Sequence, residues 1–264
     1  MPLFLQPILK TKLWGGQRLS EFGYQLDNDT TGECWCVSAH PNGTSEIING
    51  PYQGQTLDRI WSEHRELFGD FPSKDFPLLT KIVDARESLS IHVQHGTIES
   101  ILRYIKVKPG EFYFIPAGTV HTISSGILAY ETMQSSDITY RLYDFNRQDN
   151  QYNDRPLNIE KALDVIQYNA PLPNILPESE IIENHKCTHI VSNDFFTLVK
   201  WEISGTLNYM KPREFCLVTV LEGEGQMIVD GEIFKLTTGT NFILTSEDLD
   251  SVFEGDFTLM ISYV

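Results

Sequence analysis

The residues best suited to chemistry in this 264-residue chain are two histidines and a glutamine. His92 and Gln94 stand two apart in SLSIHVQ, which alternates as a strand does, so both side chains point to one face and can meet the same ion. His121 closes the stretch KPGEFYFIPAGTVH. There Gly110 ends a turn, GEFYFI has the pattern of a strand, Pro116-Ala117-Gly118 makes a second tight turn, and His121 sits on the next strand. A catalytic zinc site typically takes three protein ligands and keeps one position open, so these donors are enough for one. The plainer alternatives are a polar outer face on an edge strand for His92 and Gln94, and a structural histidine at 121. Leu89, Ile91 and Val93 argue that the opposite face of the first strand is buried as well.

The elements that must position these donors are mostly short strands. GECWCVSAH, TSEIING, FPLLTKIVDA, SLSIHVQ, GEFYFIPAG and GILAYETMQ are β-type runs bounded by Gly, Pro, Asn and Asp. Helical periodicity is clear in two places. One is 56–68, where Leu57, Ile60, Trp61, His64, Leu67 and Phe68 form a stripe; the other is 157–168, which follows a proline. NAPLPNILPESE then reads as an extended linker. Beyond it FFTLVKWEIS, FCLVTVLEG, GQMIVDGEIFKL, TNFILTS and FTLMISYV alternate again, with a hairpin turn at VDGE. The expected organisation is mainly β, with units at 1–150 and 188–264 joined by a helical, proline-rich connection at 151–187.

Composition narrows the partners. The net charge of −16 argues against nucleic acid and anionic membrane, both of which require a basic patch. It also repels anionic metabolites at long range, so a phosphorylated substrate needs cations gathered locally. The four cysteines, Cys34, Cys36, Cys187 and Cys216, fit a reducing compartment and read as buried thiols, since C-W-C is tighter than zinc sites usually allow. No apolar run is long enough to span a bilayer, and MPLFLQPILKTKLW lacks a secretory layout, so the expected compartment is the cytoplasm.

The spacing G-x5-P-x-G-x2-H ending at His121 resembles the second motif of the cupin barrels, in which the two turns aim that histidine at a metal; the usual Asn four residues later is Ser125 here. Several segments in order widen the resemblance. KLWGG, GECWCVSAHPNG, FPLLTKIVDARESLSIHVQ, PAGTVHTISSGI and ETMQSSDITYRLYDFNR together resemble the type I mannose-6-phosphate isomerases in their short bacterial form, strongly over residues 1 to 168 and more loosely beyond. The resemblance implies two cupin-like β-barrel (jelly-roll) modules and a Zn²⁺-dependent aldose–ketose isomerase linking mannose 6-phosphate and fructose 6-phosphate. It places zinc ligands at His92, Gln94 and His121, a pocket arginine implicated in proton transfer at Arg141, and a pocket lysine at Lys81. Many members order the first pair as Gln-x-His, the reverse of the order here. Left to the sequence alone, Arg141 has a rival role as a surface ion pair with Asp137 or Asp144, and Lys81 as a solvated lysine at a strand end.

One part of the family pattern is missing. Its glutamate ligand stands in a GKTE-like stretch downstream of the first strand, and this chain runs from SIHVQ through 95–103 straight to YIKVKPG without one. Either the stretch is truly deleted, or a segment of the natural chain is lacking from this sequence. The second account is favoured because excising interior barrel strands leaves apolar edges unpaired. Glu99 falls where a first cupin motif places its glutamate, although ESILRYI reads equally well as a helical turn.

The C-terminal unit reads as a metal-free barrel that packs on the first, and His40, His64, His185 and His189 as structural or exposed. An alternative function is a non-catalytic bicupin that binds a sugar phosphate. An iron dioxygenase is disfavoured, because it calls for two histidines and a carboxylate and gives SSDITYR no role. The expected assembly is a monomer or weak homodimer.

Overall fold

Period-two alternation dominates the sequence, and the chain folds accordingly as a mainly β protein. The computed structural model describes residues 1–90, 103–145, 147–148, 153–168, 173 and 175–264. Among them the strands of the first half are β1 (Leu3–Gln6), β2 (Ile8–Gly16), β3 (Thr31–Val37), β4 (Ala39–His40), β5 (Gly43–Thr44), β6 (Glu46–Ile47), β7 (Leu78–Ala85) and β8 (Ile127–Gln134). Those of the second half are β9 (Glu178–Ile182), β10 (His185–Ser192), β11 (Thr197–Met210), β12 (Cys216–Val229), β13 (Glu232–Thr237), β14 (Asn241–Leu244) and β15 (Asp250–Tyr263).

A nine-stranded sheet runs β6-β1-β14-β12-β15-β11-β10-β9, with β13 on the flank of β12. A four-stranded sheet runs β2-β3-β7-β8. The larger ladder is an open path among the described residues, and in the smaller one β2 also meets β7, through Gly15 and Ala85. The VDGE turn has the expected hairpin form: Asp230 (φ 51°) and Gly231 (φ 81°) both take positive φ, the twist that matches two flanking strands. The larger sheet takes β9 and the start of β10 from the stretch that reads as connector, and takes β1 from the first unit through pairing of Leu3 with Ile243.

The helix expected over 56–68 is broken. α1 (Leu57–Glu63) stops at His64, and the chain tightens into a 3₁₀ turn over Arg65–Phe68 that ends on Gly69 at φ 63°. The break still buries Leu57, Ile60, Trp61, Leu67 and Phe68, so burial of the apolar stripe decides the path and helix continuity yields. α2 (Ile159–Val165) is likewise shorter than 157–168 and buries only Ala162.

GEFYFI and His121, whose pattern predicts strands, lie in no strand. Phe112 and Phe114 pack on the core while Tyr113 and Ile115 are exposed, so the alternation is real. A strand also needs a ladder. Over 108–123 the backbone makes the turn closures Glu111 N–H to Lys108 and Thr119 N–H to Pro116, and single bonds from Leu89 N–H to the Ile123 carbonyl and from Gln167 N–H to the Gly118 carbonyl, which build no ladder.

The two units share a core. Trp61 packs on Phe68, Phe76 and Phe215 with ring centroids 4.9, 5.1 and 6.0 Å apart, joining α1 to the start of β12. Leu3, Val37, Leu78, Leu217 and Met260 extend the same cluster.

Candidate active site

The four-stranded sheet has two unlike faces. Cys34, Cys36, Ile82 and Tyr130 line an apolar face packed beside Leu221 of the other sheet. Register puts Trp35 opposite Lys81 and Lys81 opposite Glu131, and alternation puts Glu33 on that same, polar face. Lys81 Nζ lies 2.9 Å from Glu131 and 3.9 Å from Glu33. Glu33 is held in turn by Lys12 Nζ at 3.2 Å and by the Trp35 indole N–H at 2.9 Å. Burial pushes the Lys81 ammonium toward losing its proton. Glu131 and Glu33, with Asp137 behind them, outweigh that and hold it above the ordinary lysine value. Lys81 is therefore no solvated strand-end residue; it sits mid-strand in a charged network.

Among the described residues Arg141 makes no surface ion pair. Its Nε donates to Ser90 Oγ at 3.1 Å and its terminal nitrogen to the Pro156 carbonyl at 3.1 Å. Asp137 takes the Asn42 amide instead, at 3.0 Å. Asp144, nearly fully buried, accepts from Ser90 Oγ at 2.6 Å and from Arg147 at 2.8 Å, and pairs with Arg155 at 3.0 Å. Three guanidiniums thus converge around one carboxylate. Burial, with Arg155 and Arg147 adding like charge, pulls the Arg141 guanidinium below its usual range against the attraction of Asp144. Sequence reading missed Ser90, Asp144 as an organiser, Arg147, Arg155, Glu33 and Glu131. SSDITYRLYDFNR carried two of the arginines and the aspartate in view, but nothing in the spacing brings Arg155 and Ser90 to them.

Residues 88–90 connect this cluster to the His121 segment. Leu89 bonds Ile123, Thr122 Oγ1 donates to the Leu89 carbonyl at 2.9 Å, and Ser125 N–H donates to Ser88 Oγ at 3.2 Å. His121 Nδ1 is 2.8 Å from the Thr119 carbonyl. A carbonyl can only accept, so Nδ1 carries the proton and Nε2 is the basic nitrogen, the tautomer suited to a metal ligand. His92, Gln94 and Glu99 lie outside the described residues.

Residues 3–103 match the family model of the type I phosphomannose isomerase catalytic domain, and 185–264 match that of the mannose-6-phosphate isomerase cupin domain. The mannose-6-phosphate isomerase of Streptococcus mutans is 38% identical, over 99% of this chain and 98% of its own length. The chain belongs to the type I mannose-6-phosphate isomerase family. A second relative, from Bacillus subtilis, is 35% identical over 92% of each chain. The crystal structure of mannose 6-phosphate isomerase from Bacillus subtilis superposes with a TM-score of 0.94 at 33% identity, covering 100% of this chain and 99% of that one. The apo phosphomannose isomerase of Salmonella typhimurium shares the fold at a TM-score of 0.75 and 14% identity, covering 99% and 98%. The alignment with the Streptococcus mutans isomerase spans 310 positions against 264 residues here, so that isomerase carries residues without a counterpart in this chain.

Proposed function

We propose that this chain interconverts mannose 6-phosphate and fructose 6-phosphate, moving a proton between C1 and C2 through an enediol-like intermediate. The observation that carries the reading is the gathering of Arg141, Arg147 and Arg155 around Asp144 in a chain of net charge −16. A phosphate dianion is repelled by such a chain at long range, so its seat has to be built from local cations. Guanidiniums suit it because they grip oxyanions through paired hydrogen bonds. Family membership and the curated relatives support the sugar phosphate as substrate.

In this reading Arg141 holds the phosphate or the enediolate and assists proton transfer. Lys81, kept protonated by Glu131 and Glu33, is a hydrogen-bond donor to the sugar rather than a base. His92, Gln94 and His121 hold a zinc ion, and the tautomer of His121 fits that role. Zinc supplies Lewis-acid polarisation of the carbonyl and hydroxyl oxygens when bound. The buried, unbridged cysteines support a reducing, cytoplasmic setting.

The test is elemental analysis of the purified chain together with an isomerase assay on mannose 6-phosphate, before and after chelation. Zinc-dependent turnover that is lost in Arg141→Ala, with the fold retained, is the expected result. Stoichiometric zinc with no turnover at saturating substrate overturns the reading in favour of a non-catalytic sugar-phosphate binder.

A further inference from the structure

The β9–β10 hairpin gathers metal donors of its own. Register places Glu180 directly opposite Cys187 and Glu178 directly opposite His189. Directly opposed residues on antiparallel strands share a face, and Cys187 and His189 are two apart on β10, so all four stand on one side of the hairpin. His189 Nε2 is 3.7 Å from Cys187 Sγ and 3.5 Å from Glu180 Oε1, and the three ligand atoms lie within 4.8 Å of one another. Bonds of about 2.0–2.3 Å to a tetrahedral ion set neighbouring donors roughly 3.5 Å apart, close to the spacing His189 keeps from its two neighbours.

We propose that Glu180, Cys187 and His189 form a site for a divalent transition metal of zinc's borderline softness. One sulfur, one imidazole nitrogen and one carboxylate oxygen select zinc or cobalt over magnesium or calcium, which take oxygen alone. The site has a floor and an opening: Cys187 is buried, whereas Glu180 and His189 are 57% and 55% exposed. Glu178 is in register to offer a fourth donor, and water can fill that position otherwise.

The platform is firm. Ser179 and Thr188 share a hydroxyl–hydroxyl bond of 2.9 Å, and the adjoining strand pairs Cys187 with Trp201 and His189 with Val199. A slip of one residue would turn Cys187 and His189 to the opposite face from Glu180, so these locks on register also preserve the donor set. Buried His185 holds the strand start, donating from Nε2 to the Thr206 carbonyl at 3.0 Å and accepting Ser204 N–H at Nδ1 at 3.2 Å. None of this depends on the isomerase reading.

Cobalt(II) chloride added to the full chain is the direct probe. A thiolate-to-cobalt charge-transfer band reports sulfur ligation alone, and the other three cysteines are enclosed in apolar clusters. The expected result is a band that saturates at one equivalent and disappears in Cys187→Ser. Affinity should fall at least tenfold in Glu180→Gln and His189→Ala, with the unfolding midpoint of the metal-free chain unchanged in Glu180→Gln. A titration without any thiolate band overturns the proposal. So does a band that survives Cys187→Ser, or one indifferent to the surface change Glu180→Gln.

Discussion

Arg141 Nε donates to Ser90 Oγ at 3.1 Å, and the hydroxyl that receives it is itself committed to Asp144 at 2.6 Å. A carboxylate can only accept, so the Ser90 proton points at Asp144 and its lone pairs face the guanidinium. Arg141 is thereby aimed by a neutral group instead of being neutralised by a carboxylate, and its charge remains available to an anion.

Ser90 is a positioning residue on this argument. A hydrogen bond to a charged group contributes about 1.5–3 kcal/mol, so Ser90→Ala should lower kcat/KM for mannose 6-phosphate roughly ten- to hundredfold. Ser90→Thr keeps the hydroxyl and should recover most of the loss. Equal damage from the two variants would mean that the site tolerates no change of shape there and that the hydroxyl has no special part.

Among the described residues Asp144 is the one carboxylate paired with these arginines, and its side chain is only 5% exposed. Asp144→Asn leaves Arg147 and Arg155 without a countercharge in a poorly solvated place, which typically costs about 3–5 kcal/mol. The expected outcome is a fall of that order in unfolding free energy by urea titration, with an unchanged denaturant slope. A loss under about 1 kcal/mol would show that solvent screens the cluster far better than its burial implies.

Tyr130 gives the fold an alkaline limit. Burial, with Cys36 beside it, pushes the phenol from 10.0 up to about 12, and the hydroxyls of Thr219, Thr80 and Ser262 pull only partly the other way. Because the folded pKa is the higher one, the native state retains the proton longer. The contribution is whole below pH 10 and is lost as pH rises toward 12, about 3 kcal/mol in all at 1.36 kcal/mol per pKa unit. Tyr130→Phe removes this group's share of the slope, so its stability should decline less between pH 10 and 12 than that of the parent chain. Parallel declines would assign the alkaline loss to other groups.

Strands, hairpin and the first-unit motifs were legible in the sequence because each is a local pattern. A short apolar run between turn residues marks β7, alternation marks β12 and β15, and VDGE marks its own turn. What escaped was set by contacts distant in sequence. The break of the 56–68 helix at His64 follows from packing Leu67 and Phe68 against Phe215 and Phe76, which no local propensity encodes. Arg155 reaches Asp144 from a stretch that reads as connector. GEFYFI keeps the alternation of a strand, yet the ladder it needs depends on what lies beside it. The spacing to Gly118 singles out His121 as a candidate, and its tautomer follows only from the Thr119 carbonyl.

Gly118 offers the sharpest check on how the Pro-Ala-Gly turn holds His121. Its φ is +80°, and an added Cβ would stand 2.5 Å from the Val165 carbonyl oxygen at the end of α2. Gln167 N–H also donates to the Gly118 carbonyl at 3.0 Å, so the turn and the helix end are seated on each other. Gly126 has nearly the same φ, +83°, with nothing within 4 Å of the added carbon. Both alanine variants carry the backbone strain of positive φ, about 1 kcal/mol or more, and only Gly118→Ala adds the steric clash. Overpacking of that kind costs about 1–3 kcal/mol, so Gly118→Ala should unfold at clearly lower urea than Gly126→Ala. The same displacement shifts the turn that carries His121, so affinity for the metal proposed to bind there should fall in Gly118→Ala and hold in Gly126→Ala. Matching losses of affinity in both would show that strain, and not the seating of the turn on α2, governs the position of His121.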